Sequence, residues 1–245
     1  MLHASTSNTK IVNLPRLVEP QKTLSFTIHT DSTKTRAPLE SFIQQIFMRA
    51  YNAHIHTFYP ALISITRADE SFAAVAGFRS ATKPLFAENY LDQPVESLLA
   101  KYGYVVERSA IVEMGNLAPA SAGQARWLIA ALTSFLYSAG FSWVVFTAVP
   151  ALHNAFARMG IPLLTLAEAD INCLDQKSKD EWGSYYKSRP MVYAANIHNS
   201  YNTLNQQISS NMPRLKALWL QAQMEGCTYS QSAFEESQVY STASL

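Results

Sequence analysis

The sequence has few cysteines and few charges, and each scarcity excludes a class of protein. Of 245 residues, only Cys173 and Cys227 are cysteines. Neither has the Cys-x-x-Cys or Cys/His spacing of a zinc site, so no metal is predicted. A single disulfide between them stays open, but a reduced, cytoplasmic protein is the simpler interpretation. Charged residues make up 15%, the net charge is +1, and no long basic run occurs, so nothing indicates a nucleic-acid partner.

Long apolar segments are missing as well. No stretch of about 18 apolar residues exists, so no transmembrane helix is expected. Met1–Asn13 lacks both the apolar segment of a signal peptide and the character of a transit peptide. Hydrophobic residues still make up 48%, enough for a core. We expect a flexible segment over 1–19, one domain over 20–199, and a polar extension over 200–245 with one helix at Leu215–Met224 and a disordered end.

Apolar patterns in the first half predict a strand, a helix and a hairpin. Leu24–His29 alternates apolar and polar residues, as a strand with one buried face does. From Pro38, apolar residues recur at helical spacing. Tyr59–Thr66 and Ser71–Phe78 are two β-type runs separated by a polar segment of four residues, RADE, which favours an antiparallel hairpin.

The second half predicts alternating strands and helices. A strand at Arg108–Leu117 precedes a helix that begins at Ser121, and Phe141–Ala148 has the continuous apolar character of a strand covered on both faces. Pro150–Met159 is typical of a short helix. Two further strands are expected, at Leu163–Leu166 and Met191–Asn196. This order predicts an α/β domain whose mixed sheet is antiparallel at first and parallel in the middle.

A carboxylate and a loop of small residues stand out as functional candidates. Glu113 interrupts an apolar strand, and the loop Ala118–Ala125 that follows opens a helix. Such loops present backbone N–H groups to phosphates. Ser121 and Gln124 also fit a capping box, the ordinary explanation for this sequence. A buried carboxylate can act as a base, because burial raises its pKa; alternatively, Glu113 pairs with an arginine, for which Arg108, Arg126 and Arg158 are candidates.

Four motifs carry a resemblance to a known family. They are FAENYLDQPVESL (Phe86–Leu98), VEMGNLA (Val112–Ala118), FTA (Phe146–Ala148) and WGSYY (Trp182–Tyr186). These motifs resemble the bacterial thermostable haemolysin family, over roughly Leu24–Asn196. The order of elements is similar to that of GNAT-type N-acyltransferases, including acyl-homoserine-lactone synthases. The resemblance implies an α/β fold in which helices flank a GNAT-like mixed central sheet.

The resemblance also implies a reaction and a set of site residues. An acyl group passes to a small amine from an acyl thioester, either acyl-CoA or the phosphopantetheine of an acyl-carrier protein. Glu113 is the implied base, and at Asn116 either the side chain or the backbone N–H of a β-bulge stabilises the developing charge. Equally, Gly115-Asn116 fits a plain bulge that ends strand pairing. Trp182, Tyr185 and Tyr186 are implied to line the substrate site or form a lid. The implied donor-binding residues are Leu117, Ala118, Ser121, Ala122, Gly123, Gln124, Ala125 and Arg126.

Three positions depart from the patterns of acyltransferases. Ala120 stands where the GNAT loop begins with Gln or Arg, and Phe156 stands where a tyrosine protonates the leaving thiolate. Asn116 replaces the arginine of the Glu-x-x-Arg motif of acyl-homoserine-lactone synthases. These departures argue against standard acetyl-CoA chemistry and leave a longer acyl thioester open. A membrane-lytic protein and a catalytically inactive GNAT-fold binding module are the alternative functions, and a homodimer is a further option.

Overall fold

The computed structural model describes residues 24–30, 35–211 and 213–242, with backbone alone at 209–211, 213–214 and 233–242. Within them, seven strands form one sheet in the order β1-β2-β3-β4-β5-β7-β6. The β4–β5 pair is parallel and the other five neighbouring pairs are antiparallel. The strands are β1 (Ser25–His29), β2 (Ala61–Thr66), β3 (Phe72–Ser80), β4 (Ile111–Pro119), β5 (Trp143–Ala148), β6 (Leu164–Glu168) and β7 (Met191–Asn196).

Helices cover both faces of this sheet. They are α1 (Arg36–Tyr51), α2 (Val95–Lys101), α3 (Ala125–Ser138), α4 (Pro150–Arg158), α5 (Gln176–Glu181), α6 (Ile197–Asn211) and α7 (Pro213–Thr242). On one face, α3 is buried almost throughout, with Phe135 against Phe26 and Phe78. On the other face, Leu39, Ile43 and Phe47 of α1 pack over β2 and β3. The predicted α/β class with a mixed sheet is confirmed.

The early hairpin is confirmed, whereas the predicted start of β4 is wrong. β2 and β3 pair in antiparallel register and are buried on both faces. β4 begins at Ile111, because residues 108–110 form a 3-10 turn. That turn is held by Arg108, whose guanidinium binds Glu88 at 2.7 Å and Glu96 at 2.6 Å. The side chain of Arg108 is therefore committed to two acidic residues other than Glu113.

The C-terminal region is more ordered than its composition indicates. Residues 197–211 form α6, which the sequence analysis missed, and the predicted helix over Leu215–Met224 is part of the longer α7. The expectation of a disordered end is wrong as far as Thr242. The sequence gives only a weak helical pattern of apolar residues here, because the buried part of each helix is a narrow stripe and most of the rest of its described surface is polar. The flexible segment predicted over 1–19 lies outside the described residues.

The helix α7 belongs to the core that covers one face of the sheet. Leu218 and Trp219 are buried against α3, and Ser134 Oγ donates a hydrogen bond to the Trp219 carbonyl oxygen at 2.8 Å. The backbone N–H of Phe26 in β1 donates to Gln221 Oε1 at 3.2 Å. Across the described ranges, no helix is both long and apolar enough to cross a membrane. The extension thus completes the packing of the sheet domain.

Candidate active site

A bulge in β4 opens the sheet at its centre. Gly77 pairs with Gly115 and Val75 pairs with Ala118, so two steps along β3 face three steps along β4, which holds one extra residue. Asn116 adopts a left-handed backbone with φ of 48°, which an asparagine tolerates better than most residues. Pairing of β4 with β5 runs over Ile111–Met114 and, among the described residues, goes no further. The predicted bulge is confirmed; it ends the pairing with β5, whereas the pairing with β3 resumes.

A cavity of about 240 Å³ lies beside this opening. Its walls come from the C-terminal half of α1, the bulge of β4, the start of α3, the end of β5, α4 and the segment after β6. Most of the lining is apolar or aromatic. Tyr59, Arg79 and Asn116 form what we call the polar end, and other polar side chains, including Arg158, Ser178 and Glu181, also line the cavity. The cavity therefore combines an apolar channel with a polar end, a common property of ligand sites.

Glu113 lies immediately behind the polar end of the cavity. It is 1% exposed, and its carboxylate accepts hydrogen bonds from the backbone N–H groups of Phe86 at 2.9 Å and Ala87 at 2.6 Å. Arg79 Nε lies 3.1 Å from Glu113 Oε2, a contact of opposite charges without hydrogen-bond geometry. Burial raises the pKa of Glu113, and the two backbone donors, Arg79 and the Tyr59 hydroxyl oppose that rise. Its arginine partner is thus Arg79, and none of the three arginines predicted from the sequence.

Tyr59 connects the cavity to Glu113. Its ring packs so closely over Gly115 that a Cβ there would overlap the ring carbons, and its hydroxyl lies close enough to Glu113 for each group to shift the pKa of the other. Burial and the negative charge of Glu113 raise the pKa of Tyr59 well above its usual value, so the phenol stays protonated at neutral pH. The Arg79 guanidinium carbon lies 4.2 Å from the centre of the same ring, the geometry of a cation–π contact.

Asn116 fixes the backbone on which Tyr59 stands. Its Oδ1 accepts a hydrogen bond from the backbone N–H of Tyr59 at 3.1 Å, and its Nδ2 donates to the Thr57 carbonyl oxygen at 3.3 Å. The side chain is 8% exposed and lines the cavity. Both ends of the amide therefore have protein partners, and Asn116 acts on the site at least in part by positioning Tyr59.

The predicted donor-binding residues divide into three groups. Leu117, Ala122 and Ala125 line the cavity beside the β4–β5 opening. Ala118 is fully buried on the face covered by α1. The third group is exposed at the start of α3 and consists of Ser121, Gly123 and Arg126. The loop thus borders the cavity with small residues and presents one exposed cation next to it.

The capping box predicted for Ser121 and Gln124 is wrong. Residues 122–124 form a 3-10 turn, and the Ser121 side chain makes no capping hydrogen bond. Gln124 caps α3 through its backbone alone, and its buried Oε1 has no hydrogen-bond partner among the described residues. Because a helix leaves its first N–H groups without intrahelical acceptors, the absent side-chain caps leave these donors available to a ligand.

Trp182, Tyr185 and Tyr186 form an aromatic wall of the cavity, together with Phe47, Tyr51, Phe86 and Tyr90. They lie on a 3-10 turn and its approach, a more ordered setting than the polar loop expected from the sequence. The Tyr186 and Tyr90 hydroxyls share a short hydrogen bond, and burial raises the pKa of Tyr186 to about 12. The backbone N–H of Ser184 donates to the Tyr51 carbonyl oxygen at 2.8 Å, which ties this segment to α1.

The sequence analysis missed Tyr59 and Arg79 as site residues. Arg79 carried a signal that could have been used, since it follows a run of eight uncharged residues, 71–78. The pairing of Arg79 with Glu113 depends on the register of β3 against β4, which the sequence does not state. Tyr59 lies just before a strand and carries no local signal. Phe156 stacks on Phe146 with ring centres 4.9 Å apart. It packs as an apolar residue and has no proton to donate to a leaving thiolate.

Three solved structures are similar in fold. TofI in an apo form is 15% identical with a TM-score of 0.53, covering 74% of this chain and 96% of TofI. FeeM, an N-acyl amino acid synthase from uncultured soil microbes, is 11% identical with a TM-score of 0.52, covering 76% and 98%. The AHL synthase LasI is 10% identical with a TM-score of 0.50, covering 72% and 91%. Identities this low establish likeness of fold alone.

Sequence comparison gives a more direct result. No curated protein sequence matches the chain. A family model described as "Thermostable hemolysin" matches residues 29–201, which include β2–β7, the bulge, the cavity walls and Glu113. This match covers well over half of the 245 residues. The chain belongs to the thermostable hemolysin family.

Proposed function

We propose that the protein is an N-acyltransferase that moves an acyl group from an acyl thioester to an amine. The observation that carries the proposal is the cavity, which joins an apolar channel at the β4–β5 opening to the polar end formed by Tyr59 and Arg79. An acyl thioester has matching parts, an apolar chain and a polar reacting carbonyl. The similar folds of TofI, FeeM and LasI support the same class of reaction.

The reaction is direct attack within one complex. The amine enters as an ammonium ion and loses one proton, and its nitrogen then attacks the thioester carbonyl carbon. A C–N bond forms, the tetrahedral oxyanion collapses, and the C–S bond breaks. The attached nitrogen gives its second proton to water, and the thiolate leaves and takes one proton from water, because Phe156 cannot donate one. The products are an amide, a thiol and one proton, so atoms and charge balance.

Glu113 is the proposed acceptor of the amine proton, and Tyr59 is the proposed route. Glu113 is too enclosed to meet the amine directly, whereas Tyr59 lines the cavity and its hydroxyl lies beside Glu113. The hydroxyl passes its own proton to the carboxylate as it accepts one from the ammonium. The raised pKa of Glu113 favours this transfer, since a carboxylate of higher pKa is a stronger base.

The bulge and the start of α3 supply the remaining functions. A bulge leaves a residue out of the strand ladder, so backbone N–H groups at Asn116 and Leu117 can stabilise the oxyanion. The donor's phosphate end is assigned to Ser121, Gly123, Gln124 and Arg126, where uncapped N–H groups and a cation lie beside the small residues Ala122 and Ala125. The acyl chain then enters the opening beside Leu117.

Thermal unfolding in the presence of candidate donors tests the proposal. A ligand that binds only the folded state raises the melting temperature by mass action. We expect long-chain acyl-CoA to raise it, Arg126→Ala to reduce the shift, and Arg67→Ala to leave the shift unchanged. Arg67 is the control because it lies in the β2–β3 turn and binds Ser71 there. Acyl-carrier protein loaded with the same chain is the second donor, and mass spectrometry follows amide formation with a mixture of amines.

If neither donor shifts the melting temperature and no amide forms, the proposal is wrong. An inactive binding module would give a shift without any amide.

The description of the family as hemolysins favours a second proposal, that the amide product of the reaction lyses the cells. Acylation of a small polar amine yields a surfactant-like amide, which disrupts membranes by itself. In this case red cells lyse only when the protein is supplied with both donor and amine, and the purified amide lyses them without protein. Lysis by the protein alone, at the same rate with Tyr59→Phe, would instead favour direct action on the membrane.

A further inference from the structure

We propose that the acceptor is an amino acid, and that Arg79 binds its carboxylate. This inference rests on the proposed acyl transfer and specifies the substrate for it. The inference comes from Arg79, the arginine at the polar end of the cavity. The acid–base chemistry of Glu113 and Tyr59 does not require a cation at this position.

The guanidinium of Arg79 has unused donors that border the cavity. Its Nε faces Glu113 at 3.1 Å, and the Tyr59 hydroxyl is its other polar partner. Among the residues that the structure describes, no further acceptor contacts it. Because a guanidinium carries five N–H donors in a planar fork, at least three have no protein partner. The side chain is 25% exposed and lines the cavity, so these donors are accessible to a ligand there.

Neutralising Glu113 does not by itself account for this arrangement. The carboxylate already accepts two backbone N–H hydrogen bonds, and the Tyr59 hydroxyl lies beside it. Arg79 approaches it through Nε alone and without hydrogen-bond geometry. The face of Tyr59 holds the guanidinium plane in place. An arginine fixed in this way, with its terminal amino groups free, matches the bidentate recognition of a carboxylate.

The position of the anchor fits the chemistry of an amino acid. The amino group and carboxylate of an α-amino acid are separated by one carbon, so a carboxylate on Arg79 brings the amine to the adjacent Tyr59 hydroxyl. The other cation of the cavity lining is Arg158, at the end of α4 after β5, on the far side of β4. Phe86, Tyr90 and Trp182 line the cavity nearby and favour an apolar side chain on the amino acid.

Matched pairs of acceptors isolate the carboxylate. Leucine is compared with 3-methylbutylamine, and phenylalanine with 2-phenylethylamine, each pair differing only in the carboxylate. Both members compete for one acyl thioester, and mass spectrometry gives the ratio of amides. This ratio does not depend on the amount of folded enzyme, so a variant that loses stability still reports selectivity. The protein is the full chain, as wild type, Arg79→Gln, Arg79→Lys and the control Arg67→Gln at the opposite end of the same hairpin.

We expect wild type and Arg67→Gln to prefer the amino acid by roughly 10- to 100-fold, the range for a hydrogen bond to a charged group. Arg79→Gln should bring the ratio close to one, and Arg79→Lys should keep part of it, since lysine retains the charge without the fork. Equal acylation of both members by wild type would overturn the inference and leave the proposed acyl transfer standing.

If the acyl transfer itself fails, neither amide forms. Binding then decides the inference: N-dodecanoyl-leucine should raise the melting temperature of wild type more than N-dodecanoyl-3-methylbutylamine does, and should lose that advantage in Arg79→Gln. Equal shifts for the two compounds in wild type would overturn it.

Discussion

The helix α7 offers a sharp quantitative test, because it contributes to the core although the sequence around it is polar. Leu218 is fully buried against α3, whereas Leu220, two residues later, is 47% exposed. Replacing a buried leucine by alanine costs about 2–5 kcal/mol, and replacing an exposed one changes stability by about 0.5 kcal/mol at most. In a domain of this size, 1 kcal/mol shifts the melting temperature by about 2–4 °C.

Leu218→Ala should therefore lower the melting temperature by about 4–20 °C, and Leu220→Ala by about 2 °C at most. Circular dichroism at 222 nm, recorded on heating at two scan rates, measures both variants. The two substitutions remove the same atoms from the same helix, so differences in helix propensity cancel. Equal shifts for the two variants would contradict the placement of α7 against α3.

Removal of the whole extension after Asn199 should be far more damaging. It deletes five large buried side chains, each of which contributes about 1.5–3 kcal/mol through burial, together roughly 8–15 kcal/mol. This is as large as the entire stability of a typical domain, about 5–15 kcal/mol. A truncated chain should not fold, so loss of lysis or of acyl transfer on truncation would not locate either activity in the tail. The side chains removed are Leu204, Ile208, Leu215, Leu218 and Trp219.

Three further predictions concern the polar end of the cavity. Tyr59→Phe keeps the ring over Gly115 but removes the hydroxyl, so kcat should fall by about 10²-fold with little change in KM for the thioester. Since only the carboxylate form of Glu113 accepts a proton, kcat/KM should rise with pH through the pKa of Glu113, which is raised above the usual range for glutamate. The proposed base would be excluded if the wild-type profile lacked this rise or if Glu113→Gln kept it. Gly115→Ala places a methyl group against the Tyr59 ring and 2.6 Å from its hydroxyl oxygen, so activity should fall at least as far as in Tyr59→Phe. The Gly115→Ala and Tyr59→Phe losses should not add, because both act on one hydroxyl, and additive losses would refute the relay.

The aromatic wall has a structural part as well as its proposed role in binding. Trp182 packs against Phe47 and Phe86, and the segment that carries it is tied to the carbonyl oxygen of Tyr51 by Ser184. Substitutions here will change both stability and substrate preference. Ratios between competing substrates, as used for Arg79, separate the two effects because they do not depend on the folded fraction.

Local signals in the sequence determined the elements and one member of the site. Apolar periodicity and turn residues located β1, the β2–β3 hairpin, β5, β7, α4 and the α3 region, because these signals act over a few residues. A charge within an apolar strand pointed to Glu113, and Gly115-Asn116 pointed to the bulge. Signals of the same local kind failed at α6 and beyond residue 224, where the sequence is polar.

Only the tertiary structure decided what Glu113 contacts. The register of β3 against β4 brings Arg79 to it, and the hydrogen bonds of Asn116 place Tyr59 over Gly115, although 54 positions separate Tyr59 from Glu113 in the chain. The loop Ala118–Ala125 had the composition of a phosphate site, but whether its N–H groups are capped depended on side-chain geometry at Ser121 and Gln124. Sequence patterns act between near neighbours, whereas an active site is built from residues that become neighbours only when strands pair and helices pack.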